Sequence, residues 1–163
     1  MNNQIGMVIR QKGDNMGKSE AEKSPFSRFD HVAVVVKDMD KAIQHFSSLG
    51  IGPFERGNWP HIIEHVVRGK PCYARNKVRL APMGSAGLEL IQPLEGETIQ
   101  REFLQTKGEG VHHLGFLVDD LDKEVDNLIK RGIKVVQSGR RAKAGGHAFI
   151  EVGGIILELT QRW

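Results

Sequence analysis

The chain has 163 residues, of which 39% are hydrophobic and 26% charged, enough for one substantial core, and no apolar run approaches the roughly 18 residues of a membrane span. Its net charge of +3 is concentrated at the front, where residues 1–28 hold five basic and three acidic side chains, leaving 18 basic against 17 acidic in the body. That balance, with few aromatic rings, argues against a nucleic-acid surface, and the single cysteine, Cys72, excludes an internal disulfide and points to a reducing, cytoplasmic setting.

In chain order, residues 1–28 predict a flexible extension whose apolar stretch is too short for a signal-peptide core. The run "HVAVVV" from His31 then predicts a strand. Asp38 is placed to cap a helix carrying Met39, Ile43 and Phe46 on one face, and Gly50 suits the positive φ of a helix C-terminus. Residues 52–76 follow as a polar, Gly- and Pro-containing stretch. "NKVRLAPMG" and "GLELIQP" predict a hairpin over 76–93, and a short helix is expected near Thr98–Gln105.

From residue 111 the pattern begins again. "HLGFLV" starts at His113, Asp120 caps a helix with Leu121, Val125 and Leu128, Gly132 closes it, and "GHAFIEVGG" and "IILELTQ" predict a second hairpin. At an offset of 82, residues 31–51 match 113–133 at His31/His113, Val36/Val118, Asp38/Asp120, Asp40/Asp122, Lys41/Lys123, Gly50/Gly132 and Ile51/Ile133. Seven identities in 21 mark an internal duplication. The predicted organisation is a first module at 29–97, a linker with a short helix at 98–110, and a second module at 111–163, each reading β, α, then two or three strands. His31 and Glu89 are 58 positions apart and His113 and Glu158 only 45, so the first module carries 13 extra residues, placed within 52–76.

Alternation along each first strand puts His31, Ala33 and Val35 on one face, and His113, Gly115 and Leu117 on the equivalent one. It turns His112 away from His113. In the closing strands Glu89 and Glu158 oppose flanking leucines. A carboxylate so placed is costly to bury unless it is paired or ligates a metal. Two imidazoles and two carboxylates at repeat-equivalent positions suit one divalent ion such as Zn, Co, Ni or Mn, so His31, Glu89, His113 and Glu158 are the candidate ligands.

On "FDHVAVVVKDMDKAI", "LELIQPLEGETIQREFLQTKGEGVHHLGFLVDDLD" and "GIILELTQ", the chain resembles the vicinal oxygen chelate (glyoxalase, bleomycin resistance, dioxygenase) superfamily, and within it the methylmalonyl-CoA epimerases. The resemblance covers about residues 29–161. It implies an α+β fold of paired βαβββ modules forming an open, cup-shaped mixed sheet, with metal ligands falling on His31, Glu89, His113 and Glu158. It further implies a soluble homodimer that acts on an acyl-CoA by moving the proton α to the thioester, with Glu158 and Glu89 as catalytic carboxylates and His147 and Glu151 in reserve. Positions 77–79, where one branch of the family carries a carboxylate, hold no acid here. A glyoxalase I-type lyase and a metal-free, drug-sequestering binding protein are the alternatives.

Lys77 and Arg79, within a basic run from Arg68, and Arg141 and Lys143 are candidates for coenzyme A phosphates. "HIIEH" at 61–65 matches an inverted zinc-protease pattern, but Pro60 precludes a long helix there. His61 and His65 are therefore expected at the surface or the cleft rim, and His45 in solvent.

Overall fold

A computed structural model describes residues 24–57, 62–142 and 145–162. Strands are β1 (Phe29–Val35), β2 (Ile62–Val67), β3 (Lys70–Cys72), β4 (Ala74–Met83), β5 (Ala86–Gly96), β6 (Gly110–Leu117), β7 (Val135–Arg141), β8 (Gly146–Val152) and β9 (Ile155–Gln161); helices are α1 (Met39–Ser48), α2 (Ile99–Thr106) and α3 (Leu121–Lys130). Among the described residues no helix is long and apolar enough to cross a membrane.

Both module helices start and stop where the sequence predicts. The Asp38 carboxylate accepts from the amides of Asp40 and Lys41, and that of Asp120 from Lys123. Gly50 and Gly132, at φ 81° and 79°, let the chain turn so that the amides of Ile51 and Ile133 reach back to Phe46 and Leu128 at 3.1 and 3.0 Å. Each helix buries its apolar stripe on its own half of the sheet. Met39, Ile43 and Phe46 pack on Val36, Leu88 and Leu90, while Leu121, Val125 and Leu128 pack on Val118, Ala148 and Leu159.

The sheet runs β3-β2-β7-β8-β9-β6-β1-β5-β4. Its centre is the antiparallel pair β1/β6, flanked by the parallel pairs β1/β5 and β6/β9, so the two modules meet along their first strands about a local twofold. The second module is a complete βαβββ unit. The first departs from it: Glu55 makes an isolated bridge to Leu80 on the outer edge of β4, with bonds of 2.8 and 2.9 Å, and the extra residues then form the β2–β3 hairpin, which pairs with β7 of the second module.

Two further segments lie apart from the sequence reading. Within the extension expected over residues 1–28, Phe26 packs edge-on against Phe116 at 5.4 Å, and Arg28 binds Asp119 at 2.7 Å; residues 1–23 lie outside the described part. Helix α2 roofs one end of the histidine-bearing face, where Phe103 and Leu104 pack on Ala33, Val35 and Ile91. The buried Gln137 side chain pins it there, accepting from the Ile99 amide at 3.0 Å and donating to Gln100 Oε1 at 3.1 Å.

Candidate metal centre

The four ligand candidates come from four adjacent central strands, β9, β6, β1 and β5. The register places His31 opposite Gly115 and Ala33 opposite His113, with Glu89 beside Ala33 and Glu158 beside Gly115. Each histidine therefore leans over a residue with little or no side chain, and both rings reach the same point. Their Nε2 atoms are 3.3 Å apart. Glu158 Oε2 lies 3.1 Å from His31 Nε2 and 3.4 Å from His113 Nε2, and Glu89 Oε2 lies 3.6 and 3.7 Å from the same atoms. His113, His31 and Glu158 are only 1%, 4% and 6% exposed, while Glu89 is partly exposed.

These separations fit a resident cation. Donors bound at about 2.0–2.2 Å around a tetrahedral or octahedral ion lie roughly 2.9–3.6 Å from one another. Ligand atoms of His31, Glu89 and His113 all fall within 4.8 Å of one another, and two imidazoles with two carboxylates match divalent transition ions.

Electrostatics divide the two carboxylates. Burial would raise the pKa of Glu158, but hydrogen bonds from His113 and His31 outweigh it and hold the group well below 4.5. At Glu89 burial prevails over the attraction of His31, and its pKa is raised. Burial also opposes charge on His31, yet Asp30, Glu158 and Glu89 together push it up to about 11.

His112 lies against its predicted orientation. The pairing of β1 with β6 slips between Ala33/His113 and Val34/Val111, which leaves His112 as the extra residue of a β-bulge and breaks the alternation of faces. Its Nδ1 sits 2.9 Å from His113 Nδ1, and its ring meets Phe103 edge-on at 5.1 Å. Burial lowers its pKa to about 3, keeping it neutral.

The basic candidates scatter. Lys77 and Arg79 pair with Gln92 and Leu90, on the helix-side face, because Leu90 belongs to the core beneath α1. Lys77 binds Asp40 of α1 at 2.9 Å and Arg79 donates to the carbonyl of Val78, so neither lines the cup. Arg141 shares the face of Gly139 and is partly buried, donating to the Gln161 carbonyl at 3.0 Å; Lys143 lies outside the described residues. His45 is exposed, as expected, and Glu151 is exposed on β8.

Of the two places expected for His65, the structure favours the cleft: it is half-buried, and β2 carries it against His147, with ring centres 6.4 Å apart. "HIIEH" therefore belongs to a strand over its described part, and His61 lies outside that part. The rings continue from His147 to Phe149 at 5.2 Å and from Phe149 to His113 at 5.0 Å. Burial lowers the pKa of His65, and that of His147 to about 4. Gly139 makes this row possible, because a Cβ there would come within 2.6 Å of His147 Nε2.

Gly115 has the same function at the centre: an added methyl group would enter the His31 ring. Gly115→Ala is expected to fold with a stability loss of about 1–3 kcal/mol and to weaken Co(II) binding at least about tenfold, measured by titration of the visible cobalt absorption. Unchanged cobalt affinity would contradict the placement of the His31 ring.

Comparisons with known proteins agree with this architecture. The profile of the glyoxalase/bleomycin resistance protein/dioxygenase superfamily matches residues 30–150. The chain is 31% identical over 150 residues to the mitochondrial methylmalonyl-CoA epimerase of Mus musculus, covering 86% of this chain and 78% of that protein. It is 27% identical over 142 residues to the uncharacterized protein YqjC of Bacillus subtilis, covering 83% and 92%. Among solved structures, methylmalonyl-CoA epimerase from Mycobacterium tuberculosis superposes with a TM-score of 0.59 at 25% identity, covering 86% and 91% of the two chains. A Streptomyces coelicolor methylmalonyl-CoA epimerase variant in complex with 2-nitronate-propionyl-CoA shares the fold, with a TM-score of 0.60 at 19% identity over 83% and 96%. With its duplicated module, its cup and its sequence all in agreement, the chain belongs to the glyoxalase/bleomycin resistance protein/dioxygenase superfamily.

Proposed function

We propose that the chain is a divalent-metal-dependent epimerase that moves the proton α to a thioester, with methylmalonyl-CoA as its substrate. The observation that carries this reading is the gathering of His31, Glu89 and His113 within 4.8 Å of one another, with Glu158 against both imidazoles, in a chain whose relatives include methylmalonyl-CoA epimerases. A cation held by His31, Glu89, His113 and Glu158 would act as a Lewis acid on the thioester oxygen, which is what makes a weakly acidic α-carbon exchangeable.

The residues divide the remaining work. Glu158 and Glu89, which flank the two imidazoles, are the carboxylates suited to move the α-proton, each by loosening from the cation that it helps to hold. General acid–base catalysis of this kind typically contributes about 100- to 10,000-fold. Val78 faces the cup beside Ile91, so the 77–79 stretch offers no carboxylate for proton transfer. Phe103, Val111, Ile155 and Ile156 line a pocket ending at His113, with Lys107 and Glu151 among its polar groups. Its apolar residues suit an acyl chain.

The expected result is that the purified protein incorporates one deuterium from D2O into methylmalonyl-CoA, read by mass spectrometry, and that EDTA stops incorporation. A protein that leaves methylmalonyl-CoA unlabelled but converts a glutathione hemithioacetal would be a lyase instead.

A further inference from the structure

Each histidine at the centre is preceded by a residue that a regular strand would turn to the opposite face. Neither does so. In β1 the pairing runs Phe29↔Phe116 and then His31↔Gly115, leaving Asp30 as the extra residue of a bulge; in β6 it runs His113↔Ala33 and then Val111↔Val34, leaving His112 in the same role. Asp30 and His112 are themselves 82 positions apart, the offset of the duplication. Each uses its bulge to reach the ring of its neighbour: Asp30 Oδ2 is 3.0 Å from His31 Nδ1, and His112 Nδ1 is 2.9 Å from His113 Nδ1. Both partners are anchored from behind, Asp30 by Arg162 at 2.7 Å and His112 by the edge of Phe103.

We propose that Asp30 and His112 are paired positioning residues, inherited with the module and since diverged, that fix which ring nitrogen each histidine offers to the metal. This rests on the metal reading above. A neutral imidazole carries one N–H. If His31 and His113 are to ligate through the Nε2 atoms that face the cluster, both must hold their proton on Nδ1, and that proton needs an acceptor. Asp30 supplies a carboxylate oxygen. His112 supplies a bare Nδ1, which places its own proton on Nε2. The two histidines are thus unequal: a charged acceptor makes the stronger bond and the more electron-rich ring, so His31 is the firmer ligand and His113 the more easily released.

The test is Co(II) binding to the full-length chain, followed by visible absorption. Asp30→Leu and His112→Phe keep the size but remove the acceptor, and each should weaken binding by about 10- to 100-fold, with the larger loss for Asp30→Leu. Asp30→Asn and His112→Asn, whose amide oxygens occupy the acceptor positions, should recover most of the affinity. A ¹⁵N-resolved imidazole spectrum of the zinc-loaded wild-type protein should show exchangeable protons on Nδ1 of both ligand histidines. Wild-type protein that binds cobalt alongside Leu and Phe variants of unaltered affinity, or a proton found on Nε2 of His113, would overturn the pairing and leave the metal reading standing. A wild-type chain that takes up no cobalt would overturn the metal reading itself.

Discussion

His113→Ala is expected to leave the chain folded but unable to retain a metal ion, and to reduce α-proton exchange on methylmalonyl-CoA by about 100- to 1,000-fold or to background. The magnitude follows from the several kcal/mol that Lewis-acid polarisation contributes, at about 1.4 kcal/mol per factor of ten in rate. His113 is the hub of the cluster: it is the most deeply buried of the four candidates and touches His31, Glu89, Glu158, His112 and Phe149. The two helix-side cores are untouched by the change, so the far-ultraviolet circular dichroism should be retained. His113→Leu fills much of the same space without a donor atom and serves as the companion if the alanine variant precipitates. Elemental analysis of protein purified without chelator reads the result, and either variant retaining one equivalent of metal would remove His113 from the centre.

Metal affinity should rise with pH by about tenfold per unit between pH 6 and 9, measured by competition against a chelator of known affinity. His31, with its pKa pushed up to about 11, carries a proton throughout this range, and coordination through Nε2 must displace it; one proton released per ion bound gives that slope. The same groups shape the stability of the metal-free chain. Because the folded-state pKa of His31 lies above 6.5, its contribution is complete below about 6.5 and disappears as pH climbs through about 11. Glu158, depressed below 4.5, contributes above that value and loses its contribution as pH falls through the lowered pKa. Glu89 has the opposite sign: its raised pKa means that ionising it in place costs stability as pH rises. Glu89→Gln should therefore raise the neutral-pH melting temperature of the metal-free protein, at about 2–4 °C per kcal/mol for a chain of this size, while weakening cobalt binding. A pH-independent affinity would show that His31 does not give up a proton to the metal.

The parts of this centre legible in the sequence were those written twice. A lone histidine in an apolar strand says little, but His31 with His113, and Glu89 with Glu158, each matched by an aspartate cap and a closing glycine, define face, register and module together. What escaped depends on interactions that alternation does not encode. His112 was assigned to the wrong face because a bulge cannot be seen from a period of two. Lys77 and Arg79 shared a basic run with their neighbours, yet their orientation is set by the pairing of β4 with β5, which has its own slip between Arg75 and Asn76. The linker helix was visible as a helix, but its position as a roof comes from Gln137, a residue remote in sequence. The destination of the extra residues was hidden for the same reason, since nothing local to 62–67 announces that its partner is 137–141.

That last pairing bears on how the molecule is made. A ribosome releases the first module with its hairpin complete but without the strand on which it will lie, because β7 is still to be translated. The native arrangement of the two halves is therefore reached only after β7 has been made, and until then the unmatched hairpin edge is open to other chains. Contacts so distant along the backbone also slow the search for the folded state. Cutting the chain at its linker would therefore leave β7 without a covalent tie to the hairpin that pairs with it.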